Sequence, residues 1–143
     1  MIKNITILGA GESGYGAAML ANQKGHNVFV SDSSNIREDI KSIFLENSIR
    51  FEENKHSFDR IEFSDLIVKS PGISNNSEII SKIRAINIPI ISEIEFASRH
   101  SNSFKICVTG TNGKTTTTKL IHHILEKSVL DVGLAGNIGD SFS

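Results

Sequence analysis

A single cysteine, Cys107, stands among the 143 residues, so no disulfide can close within the chain. An excess of one charge is also lacking: 15 Lys and Arg face 16 Asp and Glu, a formal net of −1. That balance leaves no electrostatic footprint for nucleic acid or for an anionic membrane surface. No apolar run approaches the roughly 20 residues that a membrane-spanning helix needs, and the N-terminus has no signal-peptide stretch. A reducing, cytoplasmic compartment is the resulting expectation. With 38% hydrophobic and 22% charged residues, the disordered and collagen-like classes fall away. By length alone the chain suits one domain of ordinary soluble composition.

Short apolar runs alternate with longer helix-period segments. Residues 2–8 read as a β-branched strand ending at glycines, 14–24 as a helix of small residues, and Val28-Phe29-Val30 as a second strand. Asn35 with Glu38 has the spacing of a capping box before a helix carrying Ile36, Ile40, Ile43 and Phe44 on one face. A short strand near Phe51 and a short helix follow, then a strand over 65–69, a helix over 78–86 and a strand over 89–92. Ser92 and Glu95 offer a second capping box. This rhythm predicts an α/β fold, a Rossmann-like doubly wound parallel sheet. The polar stretch around residues 99–103 reads as a linker, dividing a first domain (1–98) from a second strand-loop-helix-strand unit (104–143). In that unit, 104–109 and 132–135 read as strands and 114–127 as a helix bearing Leu120, Ile121, Ile124 and Leu125. Cys107 is expected to be a buried strand residue. His26, His56 and His100 are expected on the surface.

Gly9-Ala10-Gly11-Glu12-Ser13-Gly14 fits G-x-G-x-x-G between a strand and a helix. Glycines there permit a tight turn, close approach of a ligand to the backbone, and tight helix–strand packing. The helix N-terminus turns its positive dipole end toward an anionic ligand. Asp32 lies at the end of the second strand, where an acidic residue meets a ribose in dinucleotide enzymes. A nucleotide is implied; its identity stays open at this point.

A second loop, Val108-Thr109-Gly110-Thr111-Asn112-Gly113-Lys114-Thr115-Thr116, also joins a strand to a helix. It departs from the strict P-loop because Val108 takes the place of the first glycine, yet the physical parts are present. Gly110 and Gly113 let successive N–H groups converge on phosphate oxygens, Lys114 can bridge phosphates, and the Thr115 hydroxyl can ligate Mg²⁺. These parts together predict an ATP site.

This Gly-Thr-Asn-Gly-Lys-Thr-Thr loop is characteristic of the Mur ligase superfamily, which the chain resembles along its whole length. Four features stand in the family's order: Gly9 to Gly14, Ser70-Pro71-Gly72-Ile73, Gly110 to Thr116, and Gly136-Asn137-Ile138-Gly139. The dinucleotide-type first loop combined with Asn112 is similar to the branch that adds D-glutamate to UDP-N-acetylmuramoyl-L-alanine. The branch adding L-alanine carries histidine where Asn112 stands, and the branch adding the third residue lacks this N-terminal fold.

The resemblance implies a Rossmann-like domain that binds a UDP-sugar substrate rather than NAD, followed by the start of an ATP-binding central domain. It implies UDP-substrate contacts at Gly11, Glu12, Ser13, Asp32, Ser33, Ser70, Pro71, Gly72 and Asn137. A family arginine that reaches the phosphates is replaced by Ser34, with Arg37 nearby as a substitute. ATP would lie on Gly110, Thr111, Asn112, Gly113, Lys114, Thr115 and Thr116, with Lys114 and Thr115 catalytic and Thr115 a Mg²⁺ ligand. The implied chemistry is transfer of the ATP γ-phosphoryl to the L-alanyl carboxylate, then attack of D-glutamate's amine on the acyl phosphate. Further family residues lie beyond residue 143, so the expectation is that this chain alone does not turn over. Two other readings stay open: an NAD-dependent oxidoreductase domain, and a non-enzymatic nucleotide-binding module.

Overall fold

The computed structural model of the protein describes residues 1–136 and Gly139. Its elements run β1 (Asn4–Leu8), α1 (Glu12–Gln23), β2 (Asn27–Ser31), α2 (Glu38–Glu46), β3 (Arg50–Glu52), α3 (Phe58–Ile61), β4 (Leu66–Lys69), α4 (Glu78–Ala85), β5 (Ile90–Ser92), α5 (Glu93–Arg99) and α6 (Lys114–Lys127). The first five strands form one all-parallel sheet in the order β3-β2-β1-β4-β5. The strand order reverses direction between β1 and β4, which makes the gap between their carboxyl ends the crevice of the fold.

Register brings the strand ends level. Leu8, the last residue of β1, lies beside Ser31 of β2 and Lys69 of β4. The loops that leave these three strands therefore start side by side. The two faces of the sheet carry separate cores. On one, Ala17, Ala18 and Ala21 of α1 pack with Ile40 and Phe44 of α2 and Phe96 of α5. The three alanines are fully buried, because only small side chains let α1 approach the sheet so closely. On the other face, Ile61 of α3 and Ile79, Ile80 and Ile83 of α4 cover Leu8, Phe29 and Ile67. No helix among the described residues is long and apolar enough to cross a membrane.

Several local expectations change. The 35–38 capping box does not form: α2 begins at Glu38 with Arg37 as its cap, and the Asn35 side chain instead accepts a hydrogen bond from Asn54 Nδ2 at 2.8 Å. The second box forms by half, with Ser92 Oγ accepting from the Glu95 N–H at 3.1 Å. Residues 104–109 and 132–135 are not strands: a strand needs a ladder partner for its backbone groups, and only an isolated bridge at Ala135 occurs there among the described residues. Cys107 is accordingly exposed, not buried. α6 forms as expected but buries none of its residues, leaving Leu120 and Ile124 more than half exposed.

Candidate functional site

The loop after β1 is locked by contacts that only glycine permits. Gly9 has φ +94°, and its N–H donates to the Ser31 carbonyl at 2.8 Å. A Cβ placed on Gly14 would lie 1.9 Å from the Gly9 carbonyl oxygen, and one on Gly9 would lie 2.8 Å from Ser70 Oγ. Gly9, Gly14 and Ser70 thus form one close-packed junction across the β1–β4 crevice. Gly11 differs: it caps α1 with φ −66°, and a Cβ there would meet nothing within 4 Å. Its backbone is open on the side where α1's positive dipole end emerges.

Asp32 ties this loop to the neighbouring one. Its Oδ2 accepts from the Ala10 N–H at 2.6 Å and its Oδ1 from the Ser34 N–H at 2.8 Å. The carboxylate therefore orders the glycine loop and its own turn, and each oxygen retains a second lone-pair direction for a ligand. Ser33 is exposed beside it and lines a cavity of about 480 Å³ together with His56, Gly72, Ile73, Ser77 and Ile79. Ser70 Oγ is buried and has no hydrogen-bond partner among the described residues, while Pro71 and Gly72 are exposed. Glu12 and Ser13 open α1, with Glu12 exposed. The structure thus gathers Gly11 to Ser13, Asp32, Ser33 and Ser70 to Gly72 at one end of the sheet. Asn137 lies outside the described residues. Arg37 is paired with Asp39 at the exposed start of α2.

Two groups at this end escaped the sequence reading. The Lys69 ammonium donates to the carbonyls of Ser70 at 3.1 Å and Ile73 at 2.8 Å, so it shapes the Ser70-Pro71-Gly72 turn from within. His56 is not a surface residue: half-buried, its Nδ1 lies 2.7 Å from Ser31 Oγ, which lies 2.8 Å from Glu52 Oε1. A serine ending one strand and an acidic residue ending the next were the only signal available. Burial pushes the Glu52 carboxyl up, but hydrogen bonds from Ser57 and Ser31 and the nearby Arg60 outweigh this and hold it below the ordinary range. Burial pushes His56 down, against the opposing pull of Asp32 and Glu52. A second cavity of about 580 Å³ opens at the opposite end of β1 and β2, lined by Asn4, Asn27, Arg50, Arg60 and Phe63 among others.

The lysine loop is shaped by local bonds. Gly110 (φ +146°) and Gly113 (φ +75°) both take backbone conformations that favour glycine, and Gly113 caps α6. The Lys114 ammonium folds back onto the carbonyls of Gly110 and Thr111. Thr111, Asn112, Thr115 and Thr116 are exposed around it. A helix N-terminus, two left-handed glycines, an ammonium and exposed hydroxyls make a donor set that fits a triphosphate with Mg²⁺.

An all-parallel doubly wound sheet with its glycine loop at the switch point is a Rossmann-like α/β domain. Residues 4–79 match the MurD N-terminal domain family and residues 108–142 the Mur ligase middle domain. The chain belongs to the MurD N-terminal domain family. It is 51% identical over 142 residues to the UDP-N-acetylmuramoylalanine--D-glutamate ligase of Bacteroides fragilis, covering 99% of this chain and 32% of that protein. The enzyme of the same name from Cytophaga hutchinsonii is 50% identical over 145 residues, covering 100% and 32%. Among solved structures, a murein peptide ligase from Psychrobacter arcticus superposes with a TM-score of 0.65 at 27% identity, over 94% of this chain and 30% of that one. The chain spans about a third of the length of the curated relatives it matches.

Proposed function

We propose that the chain carries the substrate-binding domain (1–98) and, after a linker (99–103), the opening of the ATP-binding central domain (104–143) of an ATP-dependent amide ligase. The reaction is that of peptidoglycan precursor synthesis, joining D-glutamate to UDP-N-acetylmuramoyl-L-alanine. One observation carries the reading. The glycine loop, Asp32-Ser33 and Ser70-Pro71-Gly72 converge at the switch point, and the same chain continues into a lysine loop, which a lone NAD domain has no use for.

In this reading the backbone at Gly11 and the first turn of α1 (Glu12, Ser13) receive the diphosphate, where the dipole favours negative charge. Asp32 fixes the loop that does so, while Ser33, Ser70, Pro71, Gly72 and Asn137 contact the rest of the UDP-substrate. ATP, when bound, supplies the phosphoryl group that activates the substrate carboxylate. Gly110 to Thr116 would hold its phosphates, with the Lys114 ammonium free to leave its loop carbonyls for phosphate oxygens and the Thr115 hydroxyl available to Mg²⁺. Isothermal titration with UDP-N-acetylmuramoyl-L-alanine, UDP and NAD tests this: saturable heat is expected with both uridine ligands. Tight NAD binding without response to either would overturn it.

A further inference from the structure

We infer that the cavity at the amino end of the sheet is a second ligand site, built for a small organic acid that carries one oxyanion on a flat apolar body. It lies a strand's length from the glycine loop and does not depend on the UDP-substrate reading. The cavity exists because α3 is a single turn of four residues. The isoleucines of α3 and α4 cover Leu8 and Ile67, but the amino half of that face toward β2 and β3 stays open, leaving about 580 Å³. That volume falls within the range of small-molecule sites. Register lays out the floor. Thr6, Phe29 and Arg50 stand side by side on β1, β2 and β3, and Asn4 and Asn27 form the next pair toward the amino end of the same face.

The lining is rich in hydrogen-bond donors. The Arg60 guanidinium lies over the Phe29 ring, 5.9 Å from its centroid, a cation–π contact on the residue that Arg50 flanks in register. Among the described residues neither guanidinium makes a hydrogen bond or an ion pair. Glu52, the carboxylate that feels Arg60, is turned to Ser57 and Ser31 instead. Asn27 Nδ2 donates to Asn4 Oδ1 at 3.1 Å, and the remaining amide N–H groups of the pair have no acceptor among the described residues. Two guanidiniums and amide N–H groups around one cavity recognise an oxyanion. Phe63 also lines it and is 73% exposed, an aromatic ring that a flat apolar body would cover. The surroundings limit the charge. Asp59 lines the same cavity, and Asp65 accepts from the Asn4 N–H at 2.7 Å at its edge. A single oxyanion seated on the guanidiniums gains their hydrogen bonds, whereas a nucleoside diphosphate or a nucleic-acid backbone also meets these carboxylates.

The test is NMR of the chain titrated with benzoate and with phenyl phosphate, with benzamide as the uncharged counterpart. Saturable shifts are expected at the Asn4 and Asn27 side-chain amides, the Arg50 and Arg60 Nε–H and the Phe63 backbone, with a Kd of about 1 mM or tighter for at least one acid. The tighter of the two acids identifies the head group as carboxylate or phosphate ester. Benzamide should bind at least tenfold more weakly, and Arg50→Gln should weaken the acids about tenfold. Phe63→Ser should weaken them severalfold with urea stability unchanged, its ring being exposed. Should either variant melt early, the wild-type shift map and the benzamide comparison decide. No saturable shift at these residues with either acid, shifts confined to the glycine loops, or benzamide binding as well as benzoate overturns the inference. Repeating the titration with UDP present separates the two readings. Unchanged affinity for the acid is expected, and displacement of the acid from the cavity by UDP overturns the inference. A chain that binds the acid here but not UDP keeps this site and loses the other.

Discussion

A methyl group on Gly14 would sit 1.9 Å from the carbonyl oxygen of Gly9. No real contact is that short, and the obstacle is backbone, so helix α1 would have to move off the sheet. Gly14→Ala is therefore expected to destabilise the chain by roughly 2–3 kcal/mol in urea unfolding. Gly11→Ala is the control: its φ suits alanine and the space is open, so stability should stay within about 0.5 kcal/mol. Because that same space is where the diphosphate is proposed to lie, Gly11→Ala should weaken UDP by about tenfold or more. Equal destabilisation by both alanines would contradict the account.

Asp32 joins two loops through backbone N–H groups of Ala10 and Ser34. Truncation to alanine leaves both donors without their charged acceptor, an expected cost of about 2 kcal/mol in stability. UDP affinity should fall in the same variant, since the glycine loop loses its tether. A variant with unaltered melting and unaltered UDP binding would remove Asp32 from the site.

Acid should weaken the fold in two stages. His56 is held below its ordinary value of 6.5, chiefly by burial, so the unfolded chain takes up that proton first. Its contribution is fully present above about pH 6.5 and is lost as pH falls below it. His100, also pushed down by burial and by Lys24, His26 and Arg99, acts with the same sign. Glu52 is held below its ordinary 4.5, so its contribution is present above that pH and is lost on further acidification. Urea midpoints measured from pH 8 to pH 4 should decline in that order. In His56→Asn the decline between pH 7 and pH 5 should be shallower; an unchanged profile would show that His56 is not neutral in the fold.

Among the described residues the Lys114 ammonium hydrogen-bonds to loop carbonyls alone, and α6 buries none of its residues. Lys114→Met should leave urea stability within about 0.5 kcal/mol of the wild type. Any ATP response of the chain, read by titration with Mg²⁺ present, should drop at least tenfold, because the ammonium is the one side-chain cation of the loop. A large loss of stability would mean that the lysine is structural.

The alternation of strands and helices over residues 1–98 and both glycine loops were legible because their signals are local. β-Branched runs end at glycines, and Gly14 and Gly113 sit where a helix must start against a turn. Asp32 was legible as a position but not as a tether, since its partner Ala10 donates through backbone that no side chain advertises. Long-range polar chemistry was not legible. Nothing near Glu52, Ser31 or His56 in sequence says that β2 and β3 end side by side, and only that pairing makes the relay. Residues 104–109 failed as a strand for a related reason: the apolar pattern can propose a strand, but the ladder must come from elsewhere.

The central claim is a UDP-substrate site at the β1–β4 switch point, and backbone amide NMR of the chain during titration with UDP tests it most directly. The account predicts saturable shifts concentrated at Gly9 to Gly14, Asp32 to Ser34, His56 and Ser70 to Ile73. Shifts concentrated instead at the opposite end of the sheet, around Asn4, Asn27, Arg50 and Phe63, would contradict it.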